Sequence, residues 1–274
     1  MDRWNADFAE TLPLLHPLRE SAKRLAGDDW PALPLLQRLA DEAALRTAGG
    51  RPLQLLPQDP GGRLPYEIRV FERGELECRE RNWHDFFNLL MWLRYPKAKA
   101  ALNARHHAAW SAAPAGGRGP VRDALTLFDE SGVVVLSADG DLLRMIRGFH
   151  WKELFWTRRE AVVAGLRFLP FGHALCEKAL APYRGMTGHA LLFEVDAGFF
   201  TQPEAVQRAA VDGLLARRIA DPQSMASARE LSPLPLLGVP GWCAANAAAA
   251  YYDDRDHFRP GRRVRTGRAA APVS

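Results

Sequence analysis

The densest apolar run in the chain lies between residues 83 and 93, and it is written with helical spacing. At about 100° per residue, Trp83, Phe86, Phe87, Leu89, Leu90 and Leu93 fall between roughly 140° and 300° on a helical wheel. His84, Asn88 and Asp85 fall at roughly 0°, 40° and 100°, so a polar face begins beside a broad buried stripe. Asn82 is a good N-cap, and Asp85 at the third helical position suits the positive end of the macrodipole. Pro96 ends this helix, because the residue before a proline is pushed out of the α region, and it can serve as the first residue of the next. In that second helix Lys99, Asn103, His106 and Trp110 share a stripe. Arg105 lies in the opposite stripe with Ala101, Leu102, Ala108 and Ala109, where a guanidinium needs a carboxylate or several carbonyls.

Elsewhere the pattern is more broken. Residues 1–35 read as short helices interrupted by Pro13, Pro17, Pro31 and Pro34, and residues 35–46 as an amphipathic helix. Residues 52–64 read as a loop rich in proline and glycine. Residues 66–71 alternate like a half-buried strand, with a return over 75–79 and a turn at Arg73-Gly74. Residues 111–120 read as a linker. Residues 122–136 carry apolar runs on both sides of Asp129-Glu130-Ser131-Gly132 and predict a hairpin, which makes Asp129 and Glu130 turn residues. Helices are expected from Ser137 or Asp139 to residue 146, over 151–163, from Gly172 onward, and over 202–220 with Pro203 at its start. Short strands are expected over 166–169 and 188–195, and irregular structure after Pro222. The tetrapeptide Gly-His-Ala-Leu occurs twice, at 172–175 and 188–191, with unrelated flanks.

These elements predict an α+β protein, helix-dominated, forming a single compact domain with a small, mostly antiparallel sheet over residues 1–257. A chain of 274 residues, 47% of them hydrophobic, has enough apolar surface for a sizeable core. Charge changes the picture at one end. The net charge is +4, but the last twenty residues hold six arginines against Asp256. Without them the balance is thirty basic against thirty-one acidic residues. A neutral body carries no whole-domain nucleic-acid footprint, and residues 258–274 are expected to be a disordered basic tail whose removal leaves stability almost unchanged. Three scattered cysteines show no metal spacing and suit a reducing compartment. The first residues carry Asp2, Asp7 and Glu10 and no apolar signal core, and no run is long enough to span a membrane, so a cytoplasmic protein is expected.

Four segments carry a resemblance. They are Asn82-Trp83-His84-Asp85-Phe86-Phe87-Asn88 with Trp92, Pro96, Lys97, Leu102 and Asn103; residues 122–130 with Gly132; residues 171–178; and residues 237–242 with Asn246, Tyr252, Asp253 and Asp254. Over roughly residues 60–260 the chain resembles the uncharacterised bacterial family catalogued as domain of unknown function 3025. The resemblance implies a soluble bacterial protein and supplies no reaction, cofactor or catalytic residue.

Candidate chemistry therefore comes from the residues. One reading is an enzyme, a hydrolase, whose site joins His84, Asp85, Asn88, Asp123 and His173, since histidine transfers protons near neutral pH and a carboxylate can orient it or bind a metal. Lys97, Asn103, His106 and Arg122 are candidate binding residues. The alternative is a non-catalytic binding or scaffold protein, for a small molecule or a protein partner, in which the same cluster is a structural hydrogen-bond network. A third reading is a nucleic-acid accessory protein using the arginine tail. No HExxH, nucleophile elbow, P-loop or GxGxxG occurs, so no nucleotide or flavin cofactor is indicated, and the metal is left open.

Overall fold

The computed structural model describes residues 3–58, 64–112 and 119–261. After two 3-10 turns the elements run α1 (Arg19–Arg24), α2 (Leu33–Glu42), β1 (Gln54–Leu56), α3 (Tyr66–Arg73), β2 (Glu75–Glu77), α4 (Trp83–Arg94), α5 (Pro96–Ser111) and α6 (Pro120–Ser131). They continue with β3 (Gly132–Ser137), α7 (Gly140–Arg147), a π-helical turn at Glu153–Thr157, α8 (Arg159–Gly165), β4 (Leu166–Pro170), α9 (His173–Lys178), β5 (Thr187–Glu194), α10 (Glu204–Ala220) and β6 (Ser232–Pro235). Helix dominates, as expected of the α+β class. The main sheet has the order β4-β3-β5-β6. β3 is antiparallel to β4 and parallel to β5, and β5 is antiparallel to β6. β1 and β2 form a separate parallel pair. No described helix is long and apolar enough to cross a membrane.

α4 is the middle of the core. Every residue from Asp85 to Trp92 is buried, and His84 is the partly exposed exception near its start. Asn82 caps it, its side chain accepting the Asp85 N–H at 2.9 Å. Pro96 divides α4 from α5 as the sequence predicts, and Arg105 finds its carbonyls on Ile219 (2.8 Å), Pro222 and Ser224.

Two expected hairpins are absent, and both errors have one cause. Residues 66–71 form α3 and not a strand. Its alternating apolar positions suit either state, but Pro65 starts the helix and Gly74 ends it. Gly74 adopts φ 75°, and its N–H reaches the Val70 carbonyl at 2.9 Å, the left-handed C-terminal cap that glycine takes at least cost. β2 then pairs with β1, inside the expected loop 52–64, and not with residues 66–71. Likewise residues 120–131 form α6, with Val121, Ala124, Leu125 and Phe128 at helical spacing, and β3 follows with no intervening loop. Asp129 and Glu130 thus sit in the last turn of a helix and not in a hairpin turn. The helix expected over 151–163 is interrupted by the π turn. Residues 113–118 of the expected linker and 59–63 of the expected loop lie outside the described residues.

The boundary at residue 257 also moves. Phe258 is buried against Tyr251 and Tyr252, with ring centroids 5.4 and 5.0 Å away, and the Arg259 carbonyl accepts the Trp151 indole N–H at 3.0 Å. The packed part therefore continues past residue 257, while residues 262–274 of the expected tail lie outside the described residues. Removing residues 258–274 is expected to lower the melting temperature clearly. Phe258→Ala by itself should cost about 3 kcal/mol, the usual scale for emptying a buried aromatic site, measured by denaturant unfolding.

Candidate metal centre

The site is assembled from α4, α6 and α9. α9 is brought to the end of α6 by two glycines. The N–H groups of Phe171 and Gly172 both donate to the Gly132 carbonyl, at 3.0 and 2.8 Å. A Cβ on Gly172 would overlap the backbone of Ser131 and Gly132, and a Cβ on Gly132 would overlap Phe128. This close approach sets His173, the first residue of α9, against Glu130 in the last turn of α6. α9 also packs along α4, which places His173 opposite His84.

The two imidazoles meet edge to face, with ring centroids 4.3 Å apart, and their Nε2 atoms are 3.0 Å apart. His173 Nε2 is 3.6 Å from Glu130 Oε1. One ligand-capable atom from each of His84, Glu130 and His173 lies within 4.8 Å of the other two. Each histidine is backed by a carboxylate on its far side. His84 Nδ1 lies 3.3 Å from Glu177 Oε2, and His173 Nδ1 faces Asp129 Oδ2 at 3.9 Å. The Glu177 carboxylate favours the His84 tautomer with its proton on Nδ1, whereas His173 Nδ1 is buried with no hydrogen-bond partner. The two Nε2 atoms face one another, and so close a contact needs either a hydrogen between them, donated by one Nε2–H to the other ring's lone pair, or a metal ion shared by both.

Burial sets the charges. It pushes the His173 imidazole down to about 3, with Lys99 and His84 acting the same way against the opposing pull of Asp129, so His173 is neutral near pH 7. Burial raises the Glu130 carboxyl. For Asp129 burial acts upward too, but the Lys99 ammonium and then His173 outweigh it and hold the carboxyl below its ordinary value. His84 and Glu130 keep 31% and 41% of their side-chain surface exposed, so the cluster opens on solvent.

Behind His173 lies a polar network that stays inside the protein. Lys99 Nζ donates to Asp129 Oδ1 at 2.5 Å and to Asn88 Oδ1 at 2.9 Å. The Asn88 amide donates to the Tyr66 hydroxyl at 2.8 Å. Asn103 Nδ2 donates to the Glu67 carbonyl (2.9 Å) and to Glu67 Oε2 (2.7 Å). Burial, then the Asp129 charge, pushes the Glu67 carboxyl up to about 7. His106 is buried on the same face of α5 and is pushed down to about 4 by burial.

The structure thus brings together His84 and His173 among the residues expected in a site, and separates the others. Asp85 turns away from them to accept three hydrogen bonds from Arg79, at 2.8 to 2.9 Å. Asn88 bonds protein groups in the network. Asp123 is exposed in the first turn of α6, nearly two turns from Glu130. Arg122 lies over the Trp110 ring at 4.6 Å. Lys97 is exposed and lines a cavity of about 410 Å³ at the opposite end of α4, with Arg24, Arg94 and Arg208. Four of the six tail arginines lie outside the described residues. Glu130, Asp129 and Glu177 were missed as site residues. For the first two the signal was present in the helical spacing from Val121 to Phe128, which puts Asp129 next to the buried stripe.

Two outcomes test the network. Asn88→Ala strands Lys99 and Tyr66 groups in the interior and is expected to cost about 1–3 kcal/mol, read from chemical denaturation. Burial raises the Glu67 carboxyl from its ordinary value of 4.5 to about 7 in the folded protein. A carboxyl raised on folding binds its proton more tightly in the folded state. Its stabilising contribution is therefore complete below the unfolded value and is lost as pH rises through about 7. Glu67→Gln should match the wild type near pH 5 and exceed it near pH 8, by on the order of 2–3 kcal/mol, in melting curves taken across that range.

No curated protein and no solved structure matches this chain. The model of a family described as protein of unknown function, DUF3025, matches residues 55–262. That span contains α4, α6 and α9, and with them His84, Glu130 and His173. The match covers most of the sequence, and the chain belongs to the DUF3025 family.

Proposed function

We propose that this protein holds a divalent first-row transition metal through His84 Nε2, His173 Nε2 and Glu130, and uses it for metal-assisted hydrolysis. The observation that carries the reading is the pair of Nε2 atoms 3.0 Å apart, each ring backed by a carboxylate on its other nitrogen. Ligand atoms about 2.0–2.2 Å from a common ion stand about 3.0–3.6 Å from one another. Two of the three ligand separations, 3.0 and 3.6 Å, match that spacing, and all three atoms lie within 4.8 Å of one another. Two neutral imidazoles and one carboxylate leave coordination positions free on the solvent side, where His84 and Glu130 are exposed. A metal there polarises a substrate carbonyl or phosphoryl oxygen and lowers the pKa of a bound water.

The chain's own residues supply the rest. Glu177 holds a proton on His84 Nδ1, and the Asp129 charge 3.9 Å from His173 Nδ1 favours a proton there too, so that both Nε2 atoms turn to the metal when it binds. Lys99 balances the Asp129 charge and stops it from drawing a second proton onto His173. Asp85 and Asn88 are assigned to the framework, since their polar atoms bond Arg79, Lys99 and Tyr66.

Purified protein is expected to carry about one equivalent of metal by elemental analysis. His84→Ala and His173→Ala should lose it, and Asp129→Asn should weaken metal affinity by roughly 10–100-fold, as removal of outer-shell carboxylates does elsewhere. Phosphatase, esterase and nuclease substrates should be turned over by the metal-loaded protein and not after chelation. Metal without turnover would remove the hydrolase assignment and leave the metal site. A metal content unaffected by both histidine variants would remove both.

A further inference from the structure

Below the candidate metal centre, α3, α4, α5 and α6 surround a cavity of about 10 Å³, lined in part by Tyr66, Glu67, Val70, Lys99, Asn103 and Asp129. A single water needs about 10–15 Å³ of such space and two to four polar partners. The partners are there. Asn103 is 2% exposed, and its Oδ1 is buried with no hydrogen bond. The amide cannot be turned round to relieve it, because both Nδ2 hydrogens are held by Glu67, on its carbonyl and its carboxyl oxygen. Reversal would set Oδ1 against the Glu67 carbonyl, acceptor to acceptor.

Two donor hydrogens beside the cavity are also uncommitted. Lys99 Nζ has three N–H bonds and spends two, on Asn88 and Asp129. The Tyr66 oxygen accepts from Asn88, which leaves its own O–H to be placed. One orphan acceptor, two spare donor hydrogens and the carboxyl oxygens of Glu67 and Asp129 thus surround a space of one-water size. We infer that the cavity is a binding site for one ordered water molecule, which accepts from Lys99 and Tyr66 and donates to Asn103 Oδ1 and to a carboxyl oxygen. Other occupants fit the wall less well. A small cation would lie against the Lys99 ammonium, and a small anion against Glu67 and Asp129. The neutral molecule that offers two donors and two acceptors satisfies every open group. It joins Glu67 and Asn103 to the Lys99–Asp129 pair, so the four helices around it share one closed hydrogen-bond network. The inference stands on the cavity and its lining and does not depend on a metal at His84 and His173.

A high-resolution crystal structure of the full chain should show a single peak within hydrogen-bond distance of Asn103 Oδ1 and Lys99 Nζ. An empty cavity there overturns the inference. Stability gives an independent sign. Val70 is 1% exposed on the apolar side of the cavity, and Val70→Ile adds one methyl group to it. If water fills the space, the methyl evicts it and strands Asn103 Oδ1, and the melting temperature falls by several degrees. If the space is dry, the methyl fills a void and the melting temperature rises, which overturns the inference. Overpacking is separated by repeating the change in Asn103→Leu, where no acceptor remains to be stranded. There the penalty for Val70→Ile should shrink; a penalty of unchanged size also overturns the inference.

Discussion

The buried ion pair between Lys99 and Asp129 sets the geometry on which the rest depends. Both side chains are nearly enclosed, with 3% and 11% of their surface exposed. Neither charge can be left alone there, since an unpaired buried ion costs about 3–5 kcal/mol. The pair therefore fixes the rotation of α5 against α6. Lys99 also holds Asn88 on α4, and Asn88 holds Tyr66 on α3, so one ammonium group sets the mutual orientation of four helices. With Asp129 turned inward, Glu130, the next residue of the same helix, points about 100° away, toward His173 and the solvent.

This arrangement divides the polar residues into two sets with different work. Asp85, Asn88, Lys99 and Asn103 are buried and bond protein groups, which makes them framework. His84 and Glu130 are half-exposed, and His173 lies just beneath them with one nitrogen toward Asp129 and the other toward His84. The carboxylate behind His173 links the sets. Asp129 belongs to the buried network and faces His173 Nδ1 at 3.9 Å, so its charge acts on the ring whose Nε2 meets His84.

The two glycines at the α6–β3 and β4–α9 junctions have the same consequence by another route. They let two backbone segments come closer than any side chain permits, and this shortens the distance from α9 to the end of α6. A histidine at the start of a short helix can then reach a glutamate that lies forty-three residues earlier in the chain. The glycine of the second Gly-His-Ala-Leu segment instead makes room for the Val133 side chain of the neighbouring strand. Its histidine, His189, meets Ser131 at 2.9 Å and takes no part in the cluster around His84.

The sequence by itself determined what local chemistry can determine. Asn82 caps α4, Pro96 separates α4 from α5, and Arg105 in an apolar stripe demands carbonyls, because each rule acts within a few residues of the chain. The helix-rich class and the shared stripe of Lys99, Asn103, His106 and Trp110 follow from helical periodicity over a dozen residues or more, but only packing decides that the first three are buried and Trp110 is exposed. Periodicity was insufficient for residues 66–73 and 122–131. A short run with apolar residues at alternate places fits a strand face, and the same run fits one side of a helix two or three turns long. Which state it takes depends on what lies opposite, and that is tertiary. The candidate site depended on the same decision. Read as a turn, Asp129 and Glu130 had no direction. In the last turn of α6 they acquire different ones about 100° apart, Asp129 toward Lys99 and the back of His173, Glu130 toward the solvent side of the two histidines. No local rule relates residues 84, 130 and 173, because their meeting is set by helix packing across the core.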